Sequence, residues 1–162
     1  MTGGLAIIWH SRTGTARAMA EAAASGAETE GAYRLIEAAS AVPEDLFGAA
    51  GYLFCCPENL GSMTGEMKAF FDRCYYPLLG RIEGRAYAAM IAAGTDGSGA
   101  ERQLDRIVTG WRLRRAAEPL IVKTGAQTPE EILGPKRVPE ALLHDCRNLG
   151  RALAAGLALG VF

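Results

Sequence analysis

Five short β-rich runs, each separated from the next by a longer stretch with helical spacing, constrain this chain more than any other feature. They span residues 5–9, 32–37, 51–56, 85–93 and 116–122. A strand that is apolar along its whole length, such as "GYLFCC", has no face to offer water. It belongs in a parallel sheet covered on both sides. Between the runs, apolar residues recur at intervals of three and four. Ala16, Met19, Ala20, Ala23 and Ala24 mark one such face, and Met63, Met67, Phe70, Phe71 and Cys74 a second. Leu104, Ile107, Val108 and Trp111 form a third, and Leu142, Cys146, Leu149, Leu153 and Leu157 a fourth, in a helix expected from Pro139 onward. Pro43, Glu44 and Asp45 open a short additional helix, with Pro at its first position and acids in its first turn. The alternation predicts a doubly wound α/β domain built from right-handed crossovers. With no internal repeat, linker or second composition regime, residues 1–162 are expected to form one domain.

Charge narrows the function classes. Seventeen basic residues against 18 acidic ones leave a net charge of −1, which gives no electrostatic drive toward nucleic acid or a membrane surface. No leader-like segment opens the chain and no apolar run is long enough for a membrane span, so a cytoplasmic location is expected. The four cysteines show no C-x-x-C spacing. Cys55 and Cys56 are adjacent in a strand and should face opposite ways, which predicts buried thiols and neither a disulfide framework nor a metal site.

In such a sheet, ligands bind beyond the carboxyl ends of the strands. Three loops lie there. The first, "HSRTGTAR" (10–17), offers the hydroxyls of Ser11, Thr13 and Thr15, a glycine at Gly14, and outward amides from Thr13 to Ala16 at a helix start, where an anion is favoured. On the residues alone, a phosphate socket and a turn capped by Ser11 or Thr13 are equally open. The loop matches neither G-x-x-x-x-G-K-[ST] nor G-x-G-x-x-G, and His10 stands where a cysteine phosphatase loop needs its cysteine. The second loop, residues 57–64, is longer than a strand-to-helix connection requires. Asn59 and Ser62 are its candidate ligand contacts, and Thr64 is expected to cap the helix behind it. The third, "GTDGSG" (94–99), is a polar rim with three glycines.

Taken in order, "HSRTGTARAMA", "PENLGSMTGEMKAFFDR" and "AAGTDGSGAERQ" resemble the corresponding loops of flavodoxin-like flavoproteins, in particular the NAD(P)H-dependent FMN reductase and quinone reductase branch. The middle motif is the most specific. The resemblance implies a three-layer α/β/α sandwich with a five-stranded parallel sheet of order 2-1-3-4-5 and FMN at the switch point. It places the flavin phosphate on Ser11, Arg12, Thr13, Gly14, Thr15 and Ala16. The ring would lie against Pro57, Glu58, Asn59, Leu60, Gly61 and Ser62 on one side, bordered by Thr95, Asp96, Gly97 and Gly99 on the other. One departure is that no aromatic stands near Asn59–Leu60 to pack on the ring. The implied function is an oxidoreductase that takes hydride from NAD(P)H and passes it by way of FMN to a quinone or other small electron acceptor, in a homodimer or homotetramer. No catalytic side chain is implied, because the flavin carries the redox chemistry. The alternative is a flavodoxin-type electron carrier without its own substrate turnover, although such carriers are usually strongly acidic. A flavin-free interaction module is a further reading. A phosphoacceptor receiver domain is excluded, since it needs an Asp where Cys55–Cys56 stand and an acidic pair where His10–Ser11 stand.

Other residues have plainer expectations. His10 is either an ordinary strand-end histidine or a phosphate donor, and His144 belongs on the surface. Arg12 and Arg17 add attraction for an anion or are simply solvated. Tyr75, Tyr76 and Pro77 should pack at a helix end, while Lys68, Asp72 and Arg73 suit local ion pairs. The Thr124–Pro139 connection exceeds ordinary loop length, which points to a lid or an interface. Its Pro135-Lys136-Arg137 run could attract the phosphate of NADPH. The apolar final helix is expected in the core or against another subunit.

Overall fold

The computed structural model describes residues 3–162. In chain order its elements are β1 (Leu5–Trp9), α1 (Thr15–Glu28), β2 (Tyr33–Glu37), α2 (Pro43–Phe47), β3 (Gly51–Asn59), β4 (Ser62–Met63) and α3 (Gly65–Leu78). They continue as β5 (Ala86–Ala93), α4 (Ser98–Gly110), β6 (Arg114–Arg115), β7 (Leu120–Lys123), α5 (Pro129–Leu133) and α6 (Glu140–Leu159). The main sheet runs β2-β1-β3-β5, with β6 and β7 both on the outer edge of β5. Every pair in it is parallel; Ile7 lies opposite Leu35 and Leu53, and Phe54 opposite Ala89. Because β6 pairs with Ala86 and Tyr87 while β7 pairs with Met90–Ala93, they are two halves of one edge position. The five-position order is therefore the flavodoxin-like one.

The fifth strand differs from the expected 116–122. Its first half begins earlier, at Arg114, and the ladder breaks over residues 116–119 before resuming at Leu120. Pro119 lies in the gap, where its missing N–H costs no ladder bond.

Residues alternate between two cores. Ala6, Ile8 and Cys56 face one layer with α2, α3 and α4, whereas Leu5, Ile7 and Cys55 face the other with α1 and α6. All four thiols are buried and free, as expected. Burial holds them protonated, Cys56 up to about 12. The first core is aromatic: Phe71 sits 5.0 to 5.2 Å from the rings of Phe70, Trp111 and Phe54. The second is built from small residues. A Cβ on Gly26 would lie 1.9 Å from the Arg147 carbonyl oxygen, and one on Gly150 would lie 2.0 Å from that of Ala23. The α1 and α6 backbones touch there, and the final helix is a core helix along that face. Its far end leaves Leu159 and Val161 exposed.

Two arginines pin irregular segments to the first layer. Arg85 Nη1 donates to the carbonyls of Ala49 (2.7 Å) and Leu46 (2.8 Å). Arg73 was expected in a local ion pair; instead its Nη2 donates to Ala38 O (2.6 Å) and Ala41 O (2.9 Å). Lys68 does pair with Asp72, at 2.7 Å. Tyr75 and Tyr76 stack on each other, their ring centroids 5.0 Å apart, at the exposed end of α3. Among the described residues, no helix is long and apolar enough to cross a membrane.

Gly150→Ala should lower stability by about 1–3 kcal/mol through overpacking against the Ala23 backbone. Gly110→Ala, in open space at the end of α4, should be neutral or raise it by up to about 1 kcal/mol. Urea unfolding midpoints test both.

Candidate functional site

β1, β3 and β5 end side by side, and a cavity of about 590 Å³ opens beyond them. Its floor is the β1–α1 turn. Gly14 occupies the N-cap position of α1 with no side-chain cap, so neither Ser11 nor Thr13 is the cap. Ser11 Oγ instead accepts from the Gly14 N–H at 3.1 Å and closes the turn. The first helical bond runs from Ala18 N–H to Gly14 O. The N–H groups of Thr15, Ala16 and Arg17 before it have no acceptor within the helix. Beside them, Thr15 lines the cavity and is only 5% exposed, and its buried hydroxyl has no hydrogen-bond partner. A buried hydroxyl without a partner is costly. An anion seated on this turn would satisfy it.

Below the turn, His10 is buried and linked to a residue from another element. Thr64 was expected to cap α3 with its side chain. It holds the N-cap position, but its hydroxyl sits 2.8 Å from His10 Nδ1. Glu66 lies 3.8 Å from His10 Nε2 and 3.0 Å from Arg12. Arg12 thus lines the cavity with its charge already paired. Arg17 is turned away, bonded to Glu21 at 2.9 Å.

One wall is a hairpin that was expected as an open loop. β3 continues to Asn59, then turns through Leu60 and Gly61 into β4, pairing Asn59 with Ser62 and Glu58 with Met63. Both turn residues have positive φ, 54° and 75°, the geometry of a two-residue type I′ turn. Gly61 adopts it freely; Leu60 does so under strain. The hairpin therefore holds a fully exposed leucine at the cavity rim.

Glu58 lines the cavity but spends its carboxylate elsewhere. It accepts from the N–H groups of Gly97 (2.8 Å) and Ala100 (2.9 Å), at the positive end of α4. Behind it, a Cβ on Gly99 would sit 2.0 Å from Gly61 O. Glycine at 99 is thus required by the packing of the hairpin on α4. Asp96 accepts from the Ser98 hydroxyl and amide, which hold its carboxyl below the usual range.

Of the residues expected in the site, the cavity gathers Ser11, Arg12, Thr13, Thr15, Ala16, Pro57, Glu58, Asn59 and Leu60. Gly14, Gly61, Ser62, Thr95, Asp96, Gly97 and Gly99 are outside its lining. Ala92, Ala93 and Gly94, at the end of β5, take the place foreseen for Thr95–Gly99. The opposite wall, from Thr124 and Ala126 to Ile132, Leu133 and Lys136, lies in the connection expected as a lid or an interface, and none of these residues was expected to hold the flavin. It includes α5, whose capping box is explicit in "TPEE": Thr128 Oγ1 accepts from the Glu131 N–H at 3.2 Å, with Pro129 at the first helical position. Within it Lys136 Nζ donates to Thr13 Oγ1, so the lysine expected to be free for NADPH is engaged with the β1–α1 turn.

A parallel sheet of this order, with an anion-ready turn after β1 and an apolar slot between the β3 hairpin and α5, defines a flavodoxin-like protein. Comparison with known proteins agrees. The profile of the family described as NADPH-dependent FMN reductase matches residues 25–118. A flavodoxin from Aquifex aeolicus (strain VF5) is 32% identical over 166 residues, covering 98% of this chain and 89% of its own. The chain belongs to the NADPH-dependent FMN reductase family of flavodoxin-like flavoproteins. Solved structures share the fold. A flavodoxin from the domain Archaea superposes with a TM-score of 0.74 at 18% identity, covering 95% of this chain and 98% of its own. A WrbA-like protein from Agrobacterium tumefaciens gives 0.72 at 18%, covering 98% and 99%.

Glu58→Ala should cost about 2 kcal/mol by leaving two α4 amides without their charged acceptor, read as a shifted urea midpoint. Burial holds the His10 imidazole below its ordinary 6.5, against the pull of the Glu66 and Glu37 carboxylates and with a smaller push from Arg12. Between the folded value and 6.5, the unfolded chain binds more protons, so stability is full above 6.5 and falls on acidification. The wild type should therefore lose more stability between pH 7.5 and 5.5 than His10→Asn. Equal losses would place the titration elsewhere.

Proposed function

We propose that this chain is an FMN-dependent oxidoreductase that oxidises NAD(P)H and reduces a quinone or similar small acceptor. The observation that carries the reading is the partnerless, buried hydroxyl of Thr15 beside free helix-start amides, at the polar end of an otherwise apolar cavity. These groups suit a phosphate. Ser11, Thr13, Thr15 and the amides of Thr15 and Ala16 would hold it. Pro57 and Leu60 on the hairpin, and Ile132 and Leu133 on α5, would flank the ring. The aliphatic rim supplies the apolar contact that an aromatic near Asn59 would otherwise give. FMN, when bound, supplies the redox chemistry; the chain's own part is to orient it and limit its access to water. Cytoplasmic location and a homodimeric or homotetrameric assembly belong to the same proposal. Exposed Leu159 at the end of α6 and Val161 just beyond it are apolar side chains that an assembly would cover.

The second reading is an electron carrier, favoured by the relative from Aquifex aeolicus that bears the name flavodoxin. A visible spectrum of the purified protein titrated with FMN, then with NADPH and NADH without oxygen, separates the two. Flavin uptake followed by rapid bleaching supports the reductase. Uptake without bleaching by either nucleotide supports the carrier, and no uptake overturns both. Replacing Thr13 and Thr15 together by leucine should weaken FMN binding roughly a hundredfold or more, since both hydroxyls are lost and the turn is filled.

A further inference from the structure

Lys136 reaches the cavity from the opposite end of the chain. Its ammonium donates to Thr13 Oγ1 (3.0 Å), Ile132 O (2.6 Å) and Gly134 O (3.0 Å). All three partners are neutral. Among the described residues, no carboxylate pairs with it, whereas Arg12 is matched by Glu66 at 3.0 Å. Of the two cations that line the cavity, only Lys136 therefore lacks a counter-charge. A half-buried ammonium held by dipoles alone gains strongly from an anion beside it. Thr13 points to where that anion sits. Its oxygen accepts from Lys136, which leaves its own proton free to be donated. Thr15, whose hydroxyl is buried and without a partner, lines the same cavity.

Resting on the FMN reading above, we propose that Lys136, which already ties the 124–139 segment to the β1–α1 turn, recognises the phosphate of the flavin. Lys136 is then a specificity residue that separates FMN from riboflavin. The two ligands share the ring and ribityl chain and differ only in the phosphate. The turn after β1 supplies hydroxyls and amides; Lys136 supplies the one unmatched positive charge.

The test titrates apoprotein with FMN and with riboflavin, following flavin fluorescence. The comparison covers the wild type, Lys136→Met and Lys136→Arg, each checked for folding by its urea midpoint. In Lys136→Met, FMN affinity should drop roughly tenfold to a hundredfold while riboflavin affinity changes little. Lys136→Arg should recover most of the loss. If Lys136→Met does not fold, Lys136→Gln takes its place. An unchanged ratio of FMN to riboflavin affinity overturns the assignment. An equal loss for both ligands also overturns it and makes Lys136 a mere tether of the segment. If the wild type binds no FMN, the flavin reading itself fails, a result distinct from either of these.

Discussion

A sheet buried on both faces leaves polar chemistry no place except its ends, and that constraint organises the molecule. Each face of β1, β3 and β5 is covered, so their side chains are apolar and their backbone groups bond within the ladder. Only where the strands stop do amides and hydroxyls become available to a ligand. The covering layers reach this in different ways. A cluster of aromatic rings fills one side; the other has backbones so close that Gly26 and Gly150 leave no room for a Cβ. Both arrangements keep the strand ends in register, which aligns the β1–α1 turn with the β3 hairpin.

The hairpin wall depends in turn on Glu58. A carboxylate at a cavity edge would ordinarily be a candidate for chemistry. Here both of its oxygens are taken by the first amides of α4, and Gly99 lets the Gly61 carbonyl approach that helix closely. The bond between one strand end and the next helix start makes two loops into one body. It also fixes Leu60 in a backbone conformation that leucine disfavours, at the rim, where the side chain gains nothing from burial. Strain kept at an exposed position is more economically explained by a role at the rim than by folding.

The doubly wound α/β class was legible because apolar runs and helical spacing are local signals, the strand order came only with the family resemblance, and the three loops were legible because they follow the strands. Side-chain partners were not. Nothing in "SMTGEM" says that the Thr64 hydroxyl turns back to His10, since that contact spans 54 positions. Nor does "PEN" reveal that Glu58 faces α4 and not the open cavity. The fifth strand was misplaced because its first half, Arg114–Arg115, is charged and exposed, whereas the apolar run 116–122 covers the break at Pro119 and most of the second half. The 124–139 segment was recognisable as too long for a plain connection, and its capping box was present in "TPEE". Its contact with Thr13 required the fold.

Charge distribution around the turn shows why the segment belongs to the site. At the root of the turn, Arg12 meets Glu66, and His10 is kept neutral by burial more than it is charged by the same carboxylate. These groups fix the turn's shape but offer an anion little net attraction. Arg17 is occupied by Glu21. A chain with a net charge of −1 supplies no long-range field in compensation. Attraction for the proposed phosphate would come from groups at contact distance, namely free amides, the Thr13 and Thr15 hydroxyls and one cation with no counter-charge. The first two come from residues 13–16. The third comes from residue 136, so the polar end of the cavity is complete only when both ends of the chain have folded onto the sheet.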